Sequence, residues 1–335
     1  MPGIIGTAPG LLSTNTYQHV QRHKTCVAAS RRSGLLTLPA ALLASSMLMP
    51  RRCASGEVKP IELTEALPPA EMYARYTYQE PADITRYITD RAAPGDSQAV
   101  LQAIDEFATA FPMYRLGPEK GAVLDAAVAL ARPQLVVELG SFVGYSATRI
   151  ARALPPGGRL VCVEANPKCV AALEAVLQHA GLRERVVIEQ GLARDVLPHL
   201  AAKYGPAQMV FEDHCKDCYL PDLLLAEDTG LVVPGTWVLA DNVLYPGAPD
   251  LLAHIATPSK DGYAAVLVAA SYEYSQPWNP AWKPPPDAVS VAVRGVPGDR
   301  GAQPDGQAHA QLSQLCALLG PNRCQSLQPF VRMVG

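Results

Sequence analysis

From residue 134 onward the chain alternates short apolar runs with longer stretches whose apolar residues recur every three or four positions. The runs are QLVVEL (134–139), RLVCVEA (159–165), RVVIEQG (185–191), AQMVFED (207–213) and TWVLADN (236–242). Each is short and rich in Val, Leu or Ile, which predicts buried strands. The stretches that follow, 146–154, 168–180, 193–204, 219–228 and 249–256, carry helical spacing. Five strand–helix units in a row predict a parallel sheet covered on both faces. Two more strands, 264–275 and 288–295, would close the sheet as an antiparallel hairpin. The segment between them, QPWNPAWKPPPD, is too rich in proline to be either strand. Upstream, 82–93, 97–111 and 119–131 read as helices, the first two split by Pro94-Gly95-Asp96, with Asp96 or Ser97 as the cap. The predicted class is α/β: a seven-stranded, mostly parallel, doubly wound sheet.

Composition sets the boundaries around this unit. The 335 residues are 49% apolar with a formal net charge of -3, enough for one full domain plus extra segments and without the basic excess that nucleic-acid binding needs. The first acidic residue is Glu57, and everything before it carries only Lys, Arg and His as charge. Residues 1–56 therefore read as a targeting segment, with delivery to a chloroplast or mitochondrion expected. Arg31-Arg32 precede an uncharged run, Ser33–Met49, so a thylakoid-lumen signal or a membrane anchor is one competing reading, and a merely disordered N-terminus is another. Proline-punctuated 57–82 reads as a linker, 83–296 as the domain, and 297–335 as a linker and tail. The eight cysteines show no pairing pattern and read as free thiols. A monomer with no stable span in its mature form is expected.

In an open parallel sheet ligands bind beyond the carboxyl ends of the strands. The first strand ends in Glu138-Leu139-Gly140-Ser141-Phe142-Val143-Gly144, two glycines four apart that let a ligand approach the backbone. This is not G-x-G-x-x-G, which weakens a hydride-transfer reading. E-x-G-x-x-x-G is instead similar to the pattern of S-adenosylmethionine-dependent methyltransferases. The second strand ends in Glu164, 20 residues beyond Gly144 and placed to accept from ribose hydroxyls. Singly, the glycines could form an ordinary turn and Glu164 a helix-terminal acid.

The fourth strand delivers Asp213, His214 and Lys216, and the fifth Asp241 and Asn242. Asp213, Asp241 and Asn242 are hard oxygen donors at neighbouring strand ends, which suits Mg2+; each taken alone would serve as a helix cap. Alternation turns Glu212 to the opposite face. The stretches APGDSQAVLQAID, GPEKG, VVELGSFVGYSATRIARAL, VEANP, FEDHCKDCYLPD, GTWVLADNVLYPGAPDLLAHI and SYEY together resemble the catechol O-methyltransferase family from about Asp83 to Gly295.

That resemblance implies a Rossmann-like fold and methyl transfer from S-adenosylmethionine to a small catechol. Asp213, Asp241 and Asn242 would hold Mg2+, Lys216 would be the base, and Glu273 would take the second hydroxyl. Leu116, Glu138, Gly140, Gly144, Tyr145, Ser146, Glu164, Ala193, Asp213 and His214 would form the cofactor site.

The chain departs from the family in several places. Cys215 stands where animal members have Trp, and Ala193-Arg194 replace a Ser-Gln pair. The aromatic gate falls on Phe111 or Pro112, opposite Pro246, and a long loop carries Trp278 and Trp282, either over the substrate mouth or as plain surface. Three alternatives stay open. One is a related enzyme acting on a caffeoyl ester. Another is a non-catalytic interaction protein. The third is a Cys215/Cys218 redox role; a lone C-x-x-C cannot close a zinc tetrahedron.

Overall fold

The computed structural model describes residues 79–111, 113–257, 262–273, 283–295 and 306–327. The targeting segment, most of the first linker, and Trp278 and Trp282 lie outside these residues. Three helices come first: α1 (Pro81–Arg91), α2 (Ser97–Ala110) and α3 (Gly117–Ala131). Asp96 caps α2, its carboxylate accepting from the backbone N–H of Gln98 and Ala99 at 2.9 Å. The alternating units follow as β1 (Leu135–Leu139), α4 (Tyr145–Ala153), β2 (Arg159–Glu164), α5 (Pro167–His179), β3 (Val186–Gln190), α6 (Ala193–Tyr204), β4 (Met209–Glu212), α7 (Tyr219–Asp228), β5 (Trp237–Ala240) and α8 (Pro249–Ala256). The hairpin is β6 (Tyr263–Ser271) and β7 (Pro286–Arg294).

The sheet order is β3-β2-β1-β4-β5-β7-β6-β8, with β1 to β5 parallel and β7 antiparallel to both its neighbours. Alternation along the strands divides the core. Val136, Cys162 and Phe211 face α1–α5, while Val137, Val161 and Val210 face α6–α8. The strand order reverses between β1 and β4, the point at which a parallel sheet opens a crevice.

The C-terminal region, read from sequence as a linker and a tail, contributes a helix and a strand. Helix α9 (Gly306–Leu319) buries Ala308, Leu312 and Leu315 in the core shared with α3, and β8 (Cys324–Ser326) adds an eighth strand antiparallel to β6. Cys316 and Cys324 form a disulfide, contrary to the reading of free thiols. Two cysteines in one short segment gave no pairing signal, because only the turn after α9 brings them together. Arg323, next to Cys324, donates to the carbonyl of Ala269 on β6 and pairs with Glu119 on α3 at 3.3 Å. Among the described residues no helix is long and apolar enough to cross a membrane.

Candidate active site

The register assembles the site. Leu139 pairs with Val163 and with Glu212, and Glu212 pairs with Ala240. One step further along each strand puts Glu164, Gly140, Asp213 and Asp241 in a single row across four strand ends. Gly140 adopts φ 86°, and a Cβ there would meet the carbonyl oxygen of Asp213 at 2.7 Å. Only glycine lets the β1 and β4 ends lie this close. Gly144 (φ 95°) opens α4 against Leu173.

Beyond this row lies a cavity of about 640 Å3, whose walls include Gly140, Glu164, Ala193, Asp213 and His214. These are five of the ten residues expected around the cofactor. The Glu164 carboxylate is fixed by the backbone N–H of Phe142 and of Asn166, both at 2.9 Å, and a carboxylate has lone pairs for further donors. His214 sits 2.8 Å from Asp222 through Nε2, and burial holds its pKa below the usual imidazole value despite that carboxylate. A neutral His214 therefore carries its proton on Nε2.

The other five do not line this cavity. Leu116 is core packing before α3, and Gly144 serves the turn. Tyr145 donates to Asp105 at 3.1 Å, drawn away by that carboxylate and by Arg149. Glu138 and Ser146 belong to a buried cluster on the α1–α5 face. There Ser141 and Cys162 also donate to Glu138, at 2.5 and 3.3 Å. Strand alternation explains this, since Glu138 shares the face of Val136.

Burial pushes the Glu138 carboxyl up to about 7. The folded state thus holds a proton that the unfolded chain releases near the ordinary value of 4.5. Stability from this group is complete below the unfolded value and is lost as pH rises through the folded one. Glu138→Gln should remove that slope and exceed the wild type by on the order of 2–3 kcal/mol above pH 7. Urea unfolding at acid and alkaline pH checks it; parallel curves for the two proteins would refute the assignment.

The chemical end gathers more than expected. Lys216 donates to Asp213 at 3.2 Å and to the Tyr219 hydroxyl, which in turn donates to the Asp241 carbonyl at 3.2 Å. Burial raises the Tyr219 pKa well above the phenol range. Asp241, Glu273 and Asp287 offer carboxylate oxygens within 4.8 Å of one another. That trio would suit a cation, and one is already there. The fully buried Lys120 ammonium lies 2.9 Å from Asp241 and 2.5 Å from both Glu273 and Asp287. Burial opposes the charge on Lys120, but the three carboxylates outweigh it and raise its pKa. Glu273 thus meets Lys120 and Asn242, whose Nδ2 is 3.2 Å from each of its oxygens.

Lys120 and Asp287 were given no role in the sequence reading. Lys120 stands inside the quoted GPEKG, and Asp287 ends a proline run just before an apolar strand; those were the only signals. Asp287 accepts from Asn242 Nδ2 at 3.0 Å and from the N–H groups of Leu244 and Tyr245 at 3.2 and 3.0 Å. It therefore fixes the loop that presents Asn242, itself in the left-handed region (φ 57°).

The donor set fits Mg2+ on a separate observation. Among the described residues, neither carboxylate oxygen of Asp241 accepts a hydrogen bond, nor does Oδ1 of Asn242, though both residues are buried. Oδ1 of Asp241 is ion-paired with Lys120 at 2.9 Å, which leaves Asp241 Oδ2 and Asn242 Oδ1 as the acceptors without a partner among the described residues. Buried acceptors left unsatisfied are costly, and a hard cation beside Asp213 would satisfy them. Phe111 stacks on Phe107, with ring centroids 5.2 Å apart, while Pro112 lies outside the described residues. Pro246 follows Tyr245, whose ring meets Tyr272 edge-on at 4.9 Å.

Residues 95–253 match a family model described as O-methyltransferase. The chain is 47% identical over 175 residues to catechol O-methyltransferase of Mus musculus, covering 51% of this chain and 66% of that protein. It is 38% identical over 199 residues to catechol O-methyltransferase B of Danio rerio, covering 58% and 75%. With catechol O-methyltransferase of Sus scrofa it shares 44% over 163 residues, covering 48% and 87%. The match spans just under two thirds of the length of the mouse and Bos taurus proteins, 66% of each.

Proposed function

The chain belongs to the catechol O-methyltransferase family, and from its site we propose that it transfers the methyl group of S-adenosylmethionine to one hydroxyl of a catechol, with Mg2+ required. The observation that carries this reading is the row of strand ends. Asp213 and Lys216, 3.2 Å apart, end the strand next to the one that presents Asp241 and Asn242, whose Oδ2 and Oδ1 have no partner among the described residues. Asp213, Asp241 and Asn242 would hold Mg2+, which when bound lowers the pKa of a coordinated phenol and fixes its orientation.

The chain's own residues supply the rest. Gly140 holds the β1 and β4 ends together in the cavity wall, and the pinned Glu164 carboxylate accepts from the cofactor's ribose hydroxyls. Lys216, as the neutral amine, takes the proton from the reacting hydroxyl. Glu273, held by Lys120 and Asn242, accepts from the second hydroxyl. Holding cofactor and phenol in one fixed arrangement would supply much of the rate. The basic, acid-free segment 1–56 supports delivery to an organelle. A fluorescent fusion carrying that segment, imaged beside one lacking it, tests this.

Methyl-labelled S-adenosylmethionine with Mg2+ and a panel of catechols and matched monophenols tests the substrate class. Label should enter the vicinal diols and not the monophenols. Equal labelling of both sets would remove Glu273 from its role, and no labelling of any catechol would overturn the reading.

A further inference from the structure

Cys215 and Cys218 take no part in the chemistry above. Cys215 precedes a 3-10 turn, Lys216–Cys218, that runs directly into α7, so the two thiols bracket the first turn of one helical stretch. Both line the cofactor cavity, next to Asp213 and His214. The N–H of Cys218 bonds the carbonyl of Cys215 at 2.9 Å, closing a turn. The ends of such a turn lie within about 7 Å of each other between Cα atoms. A disulfide spans about 4.4–6.8 Å on the same measure. Of the free thiols among the described residues, Cys218 is half-buried, while Cys215, Cys162 and Cys169 are buried.

We propose that Cys215 and Cys218 form a reversible disulfide in the wall of the cofactor cavity, so that the thiol redox state of this pair governs cofactor binding. The oxidant is a small disulfide such as oxidised glutathione. One cysteine sulfur attacks a glutathione sulfur, the glutathione S–S bond breaks, and one glutathione leaves with the proton. The second cysteine sulfur attacks the resulting mixed disulfide and releases the other glutathione as its thiol. Two S–H bonds are lost and one S–S bond forms, while the oxidant becomes two thiols; a dithiol reductant reverses both steps. Closing the bond draws Cys218 toward Cys215 and reshapes the turn that carries Lys216, beside the wall formed by Asp213 and His214. This rests on the reading of the cavity as the S-adenosylmethionine site.

The experiment has two independent parts. The full chain is treated with oxidised glutathione, its remaining thiols are alkylated, and the digest is mapped by mass spectrometry. The peptide holding both residues should be lighter by two hydrogens and carry no alkyl group. Full alkylation of both, or a stable glutathione adduct alone, overturns the proposal. Calorimetry with S-adenosylhomocysteine then compares oxidised and reduced protein. Affinity should fall about tenfold or more, roughly 1.4 kcal/mol, and return with dithiothreitol. In Cys218→Ser the oxidant should leave affinity equal to that variant's own untreated value. A disulfide that forms without changing affinity overturns the regulatory claim. A mapped disulfide in a chain that binds no S-adenosylhomocysteine when reduced supports the bond and refutes the functional reading.

Discussion

Lys120→Ala is expected to destabilise the protein by about 3–5 kcal/mol, the cost of breaking a buried ion pair from one side. The variant leaves Asp241, Glu273 and Asp287 buried around an empty place, where the ammonium now stands within 2.9 Å of each. Three carboxylates so close repel one another, and burial already pushes the Asp241 carboxyl above its usual range. The melting temperature should fall by roughly 10 °C, since each kcal/mol moves a domain of this size by about 2–4 °C. Adding Asp287→Asn to Lys120→Ala removes one of the opposed charges and should recover part of the loss. Thermal unfolding of the wild type and both variants reads the result. A loss below about 1 kcal/mol in the single variant would mean that these groups are not desolvated together.

Lys216→Ala should act on the reaction instead. Loss of a positioned general base costs about 10²–10⁴ in rate. S-adenosylhomocysteine affinity should stay within a few-fold, because Lys216 is not among the cavity walls. The substitution also takes a hydrogen bond from Asp213 and from Tyr219, so stability should drop by about 1–3 kcal/mol. Stopped assays under saturating cofactor give kcat, and calorimetry gives affinity. A variant with near wild-type kcat would transfer the base role to another group.

The residues that could be read in sequence share one property: they end strands. Hydrophobic alternation marks where a strand stops, and the parallel order then brings those ends together, so Glu164, Asp213, Asp241 and Asn242 were legible. Lys120 and Asp287 were not, because their meaning lies in contacts across 153 and 167 residues of chain. Lys120 sits in the first turn of a helix, where a lysine usually faces water. Asp287 opens an antiparallel strand, outside the logic of parallel strand ends. Tyr145 and Ser146 were expected at the cofactor from the family resemblance. Their side chains find partners within the chain, Tyr145 at Asp105 and Ser146 in the cluster around Glu138. The short β8 and the Cys316–Cys324 bond left no trace in the pattern, since three residues of strand carry too little periodicity to detect.

On the proposed mechanism, a divalent cation held by Asp213, Asp241 and Asn242 enables methyl transfer to a catechol. The most direct test is the initial rate of labelled methyl transfer from S-adenosylmethionine to a catechol in protein stripped with excess EDTA and then titrated with Mg2+. In parallel, Asn242→Leu is followed by calorimetric Mg2+ binding. No transfer is expected in EDTA, with saturable recovery on adding Mg2+ and Mg2+ binding weakened at least tenfold in the variant. Undiminished transfer in EDTA, or unchanged Mg2+ affinity in Asn242→Leu, would contradict that mechanism.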